Sequence, residues 1–91
     1  MARSIGSNKV KTAVFISGAG SNLKSLIQFS KIKNSPIIIS MIISNNSKSK
    51  GLKYGKIYKI KKKVFDFKST LSENKVINEL EKNKINLICL A

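Results

Sequence analysis

Thr12-Ala13-Val14-Phe15-Ile16-Ser17-Gly18-Ala19-Gly20-Ser21-Asn22-Leu23 decides the fold. A short apolar run stops at a Gly-x-Gly turn, and an amphipathic pattern begins within a residue or two. Strand, glycine turn and helix in direct succession make an anion site. The helix start leaves N–H groups without partners and turns the positive end of its dipole outward. Gly18 and Gly20 permit a tight turn and the approach of a bulky anion that a Cβ would obstruct. Ser21 and Asn22 add short polar side chains able to cap the helix or donate to that anion. Phosphate is the expected occupant, and a side chain at Gly20 is expected to stand in its place.

The flanking sequence alternates strand and helix patterns. Residues 14–17 read as the first strand, with a fraying lead-in at Lys9-Val10-Lys11. Leu23, Leu26, Ile27 and Ser30 follow the i, i+3, i+4, i+7 spacing of a helix with one buried face. Asn34-Ser35-Pro36 breaks that helix, since proline lacks a donor and biases its neighbour toward extended geometry. Residues 37–43 are a β-branched run interrupted only by Ser40 and Met41, as in a central parallel strand. A short polar helix is expected over 46–55 and a third strand within 57–64. Thr70-Leu71-Ser72-Glu73 fits a capping box, with Val76, Ile77 and Leu80 marking a core face. Residues 85–90 read as a fourth strand that a parallel sheet would flank on both sides. The class is α/β, a Rossmann-like parallel sheet with right-handed crossovers.

The loop does not fit the larger nucleotide folds. It lacks the third glycine of the dinucleotide fingerprint, and the second strand ends at Ser44-Asn45-Asn46 with no acid for a ribose. No Gly-Lys-Ser/Thr continuation follows. Half of a nucleotide-binding Rossmann domain is therefore the weaker alternative, and a single phosphate on a small substrate suits the loop better.

The chain carries 18 Lys and Arg against 4 acids, net +14, and every acid lies at or after Asp66. Residues 48–63 hold eight lysines and no acid. A basic nucleic-acid-binding module is the alternative this tract raises. Aromatic stacking partners are sparse, Tyr54 and Tyr58 alone. Lys, Ile and Asn supply 17, 14 and 9 positions, so the tract reads as solvated surface, with non-specific charge attraction only. One cysteine, Cys89, allows no internal disulfide and no zinc spacing, and reads as a buried small hydrophobe. No metal site is expected. Glu79 and Glu81 are expected to solvate a helix face. No signal-peptide core or membrane-length apolar run is present, which makes the cytoplasm the expected compartment.

Ile16-Ser17-Gly18-Ala19-Gly20-Ser21-Asn22-Leu23 closely resembles the N-terminal signature of the phosphoribosylglycinamide formyltransferases, the folate-dependent transformylases of purine synthesis. Ile42-Ile43-Ser44-Asn45, Gly51-Leu52 and the strand ending Leu87-Ile88-Cys89-Leu90-Ala91 resemble that family in its order. The resemblance covers residues 11–91, leaving 1–10 as an N-terminal extension, with a phosphate-binding loop at 17–22. It implies the formyltransferase fold, here its N-terminal half to the fourth strand. It also implies formyl transfer from 10-formyltetrahydrofolate, as co-substrate, to glycinamide ribonucleotide. Gly20, Ser21 and Asn22 match the positions that hold the ribose 5-phosphate. The family's catalytic Asn, His and Asp fall beyond residue 91, so no catalytic residue is expected within this chain, and the 91 residues alone are expected to be inactive. The family's basic folate contact has Lys68 as its nearest counterpart.

Overall fold

The β-branched run after Pro36 forms the most deeply buried strand of a four-stranded sheet. The computed structural model describes residues 9–16, 20–65 and 70–91, with side chains from 73 onward in the last segment. Strand β1 is Val10–Ile16, helix α1 Ser21–Ser30 and strand β2 Ile37–Ser44. A 3-10 turn at Lys50–Leu52 runs into helix α2, Lys53–Ile57, followed by β3 at Lys61–Val64. Helix α3 is Thr70–Lys82 and β4 is Leu87–Leu90. All pairings are parallel in the order β3-β2-β1-β4. The α/β class and the Rossmann-like sheet are those that the alternating pattern predicts.

The sheet has a core on each face. On one face α1 sets Leu23 and Ile27 against Val14, Ile16, Ile37, Ile39 and Ile42, with Tyr54 and Tyr58 at the margin. On the other, Val76 and Leu80 of α3 meet Ala13, Met41 and Ile43. Side chains alternate along a strand, so Ile39 and Ile42 can share a face only if β2 carries an extra residue. It does: Thr12 pairs with Ile39 and Ala13 with Met41, leaving Ser40 as a bulge. The Ser40-Met41 interruption in the apolar run is the sequence trace of this shift.

Several boundaries depart from expectation. β1 starts at Val10 rather than fraying. The Val10 N–H donates to Pro36 O at 2.9 Å and the Asn86 N–H donates to Lys11 O at 2.9 Å, so neighbours tie down both sides. Helix α1 ends at Ser30, before the Asn34-Ser35-Pro36 breaker, and Asn34 turns the chain at φ 70°. The short helix after β2 falls later than 46–55. Ile77 is 52% exposed, not core. The inward face of α3 runs through Val76, Glu79, Leu80 and Asn83, and this phase leaves Ile77 outside. The proposed capping box rests on side chains outside the described residues. Cys89 is only partly buried.

Glu79 also departs from its expected solvating role. Its carboxylate lies 3.1 Å from the Lys63 ammonium of β3, with 17% of the side chain exposed. The hydrogen bond from Lys63 holds its pKa below the ordinary glutamate value, against burial and with help from the charges of Lys63, Lys61 and Lys82. A depressed carboxyl stabilises the fold above its unfolded pKa of about 4.3, and that contribution is lost as pH falls through the folded value. Glu79→Gln should therefore lower the thermal midpoint at neutral pH, with the difference shrinking as the pH falls through the folded value. The neutral-pH effect should be small, because Lys63 is half exposed to screening.

The two sheet edges are unlike. β3 carries Lys61, Lys62 and Lys63, charges that discourage edge pairing. β4 pairs with β1 on one side only and shows Leu87, Ile88 and Leu90, the last 83% exposed. The second neighbour expected for this strand is absent among the described residues.

Candidate functional site: a glycine-paired helix start

β1 delivers the chain to α1 at the point where the strand order reverses. Its crossover partner β2 lies on one side and β4 on the other. In open parallel sheets the crevice beyond the strand C-termini at such a reversal is the place for a ligand. The Ala91 N–H donates to Phe15 O at 2.9 Å, which carries the β1–β4 pairing up to this crevice.

Gly20 is the N-cap of α1, in the left-handed region at φ 86°, and no side chain caps the helix. The Gly20 carbonyl accepts the Lys24 N–H at 2.9 Å. Ser21 and Asn22 are therefore the first two helical residues rather than caps, and both are exposed. Helix geometry leaves the N–H groups of Ser21, Asn22 and Leu23 without intrahelical acceptors. The helix start thus brings together all three residues of the sequence-derived site. Ser17, Gly18 and Ala19, and Lys68, lie outside the described residues.

A second glycine completes the arrangement. A Cβ on Gly20 would fall 2.5 Å from Gly51 Cα and 3.3 Å from the Tyr54 ring, while one on Gly51 would meet Ile16 Cδ1 at 2.8 Å and Gly20 Cα at 3.0 Å. The two backbones touch. The space a Gly20 side chain would need is taken by Gly51.

The segment after β2 holds Gly51 in place. Ser44 Oγ lies 2.7 Å from Ser49 Oγ and accepts the Asn46 N–H at 3.0 Å. Asn46 Oδ1 accepts the Lys48 N–H at 2.9 Å, and the Ser49 N–H donates to Asn46 O at 3.0 Å. The Ser44 hydroxyl is thereby engaged inside the loop, where a dinucleotide fold would offer an acid to a ribose. Neither the Gly20–Gly51 contact nor Tyr54 was legible as part of the site. The signal at Gly51 was its place in the Gly51-Leu52 match, which says nothing of what Gly51 touches.

Among the described residues no group of three His, Cys, Asp or Glu could hold a metal ion. No helix among them is long and apolar enough to cross a membrane.

A parallel α/β sheet with a glycine-led helix start at its switch point defines a Rossmann-like class of α/β domain. Within that class, the chain belongs to the formyl transferase family, which matches it over residues 10–91. It is 38% identical over 91 residues to the trifunctional purine biosynthetic protein adenosine-3 of Gallus gallus, covering 96% of this chain and 9% of that protein. The phosphoribosylglycinamide formyltransferase structure from Brucella melitensis superposes with a TM-score of 0.84 at 30% identity, over 90% of this chain and 45% of that one. That from Anaplasma phagocytophilum gives 0.81 at 34%, over 90% and 39%. The chain thus spans less than half the length of these relatives.

Proposed function

We propose that this chain forms the phosphate-binding part of a phosphoribosylglycinamide formyltransferase of purine synthesis. The reaction moves a formyl group from 10-formyltetrahydrofolate to the amine of glycinamide ribonucleotide. The amine nitrogen attacks the formyl carbon, a tetrahedral intermediate forms, and its collapse breaks the bond to the folate nitrogen, which takes up the proton the amine loses. Residues 10–91 supply positioning. The open start of α1, braced by Gly51 at the strand switch point, is the observation that carries this reading. Backbone N–H groups after Gly20, with the Ser21 and Asn22 side chains, hold the ribose 5-phosphate and so fix the distant amine. Orientation of this kind supplies up to about 7–11 kcal/mol of barrier reduction when both reactants are held. The co-substrate is 10-formyltetrahydrofolate.

Asn22→Ala, placed in a polypeptide that carries these residues within a complete formyltransferase domain, should weaken glycinamide ribonucleotide binding. A charge-assisted bond to phosphate predicts a loss of about 1–3 kcal/mol. Asn22 is exposed and not a cap, so the fold should be unaffected. Calorimetric titration checks this, and unchanged affinity would remove Asn22 from the site.

A further inference from the structure

A second cleft lies at the opposite end of the sheet. Its lining comes from the start of β1 (Lys9), the end of α1 (Ser30, Lys31), the first half of β2 (Ile38) and the entry to β3 (Tyr58, Lys59). Its volume is about 540 Å³, within the range that takes a small organic ligand. The floor is apolar and the rim carries three lysines without a carboxylate. The side-chain carboxylates of the described residues, Glu73, Glu79 and Glu81, all lie on α3, which packs on the other face of the sheet.

Charge alone would be ordinary on so basic a chain, and lysines commonly gather at helix C-termini to answer the dipole. The magnitudes decide. The end of α1 contributes about half a negative charge, and the five-residue α2 less. Three ammonium groups exceed that sum, so the cleft stays positive. Tyr58 adds a half-buried ring, with Lys31 Nζ 5.5 Å from its centroid. Ile60, partly buried against the α1-side core, adds an aliphatic wall. Cations around an aromatic and an aliphatic wall suit an anion with a flat, apolar body. A surface built to track a nucleic-acid backbone would instead spread its charges along a stripe.

We infer that the cleft between Lys9, Lys31 and Lys59 binds a small organic phosphate of the mononucleotide class, at a site separate from the α1 helix start. The lysines take the phosphate as point charges, while Tyr58 and Ile60 pack the base.

Lys59 provides a clean test. It sits at φ 58° just past Tyr58, the C-cap of α2, and the Ile60 N–H donates to Gly55 O at 2.8 Å, a helix ending in which glycine is the favoured residue. Lys59→Gly therefore removes a charge while easing the backbone. Lys84 ends α3 in the same way, at φ 58° with the Ile85 N–H on Leu80 O, and does not line the cleft. Lys84→Gly is the matched control. Titration of the chain with adenosine 5′-monophosphate at about 0.15 M salt should show saturable binding. Lys59→Gly should weaken it about tenfold, with Lys84→Gly unchanged. Inorganic phosphate and adenosine should each bind more weakly than the nucleotide. Absence of saturable binding, equal losses in Lys59→Gly and Lys84→Gly, or a loss confined to Asn22→Ala would overturn the inference. So would affinity that rises steadily with the length of a single-stranded oligonucleotide. Because the Asn22 arm reads the other site, failure here leaves the proposed function standing.

Discussion

Valine at Gly20 is expected to cost a large part of the stability of the fold, and valine at Gly51 a smaller part. Gly20 holds φ 86°, and its Cβ would lie 2.5 Å from a backbone carbon. A branched residue forced into the left-handed region costs about 1–3 kcal/mol. Overpacking against atoms that cannot turn aside costs about as much again. The sum is a large part of the 5–15 kcal/mol that stabilises a typical domain, and a chain this short belongs near the lower end. Gly51 isolates the packing part, having no positive φ. Ile16 Cδ1 can swing away, but Gly20 Cα at 3.0 Å cannot. Gly51→Val should therefore be damaging and Gly20→Val worse. Urea denaturation followed by circular dichroism measures both. A midpoint unchanged in either variant would show that the two backbones do not need each other. One consequence is practical: loss of ligand binding in Gly20→Val cannot be assigned to the phosphate, whereas Asn22→Ala can report on it.

The sheet was legible because its signals are local and redundant. Residues 37–43 are β-branched except at Ser40 and Met41, and Leu23, Leu26, Ile27 and Ser30 repeat at helical spacing; Leu23, Ile27 and Ser30 are buried and Leu26 partly so. The start of α1 was legible for a similar reason, since glycine, serine and asparagine after an apolar run have few other uses. Features set by distant partners were hidden. Val10 and Lys11 look like a polar lead-in, and only Pro36 and Asn86 make them strand. Ile77 looks like core until Glu79 is seen to face Lys63, which fixes the rotation of α3. The Gly20–Gly51 contact joins residues far apart in sequence, each of which has an adequate local explanation. Periodicity reports what a residue prefers, but contact with another element decides what it touches.

The 91-residue polypeptide by itself is expected to turn over no formyl donor above background. Transfer requires a proton to leave the amine and reach the folate nitrogen. A positioned acid–base group supplies about 10²–10⁴ of such a rate, and each donor aimed at the developing oxyanion about 10²–10³ more. The chain has no histidine. Among the described residues its side-chain carboxylates are confined to α3, and Glu79 is committed to Lys63. Near the crevice stand Gly20, Ser21, Asn22, Gly51 and Tyr54, groups suited to holding an anion rather than moving a proton. Orientation cannot substitute, because its large effect needs both reactants fixed, and the helix start would fix one. Tetrahydrofolate release, followed with glycinamide ribonucleotide and 10-formyltetrahydrofolate present, should match the rate without protein. A polypeptide joining residues 10–91 to the remainder of a relative's domain should restore turnover, and Asn22→Ala in that polypeptide should reduce it. Turnover by the 91 residues alone that scales with their concentration would place a proton-transfer group within this chain. Failure of the joined polypeptide, if it is folded, would count against the proposed function itself.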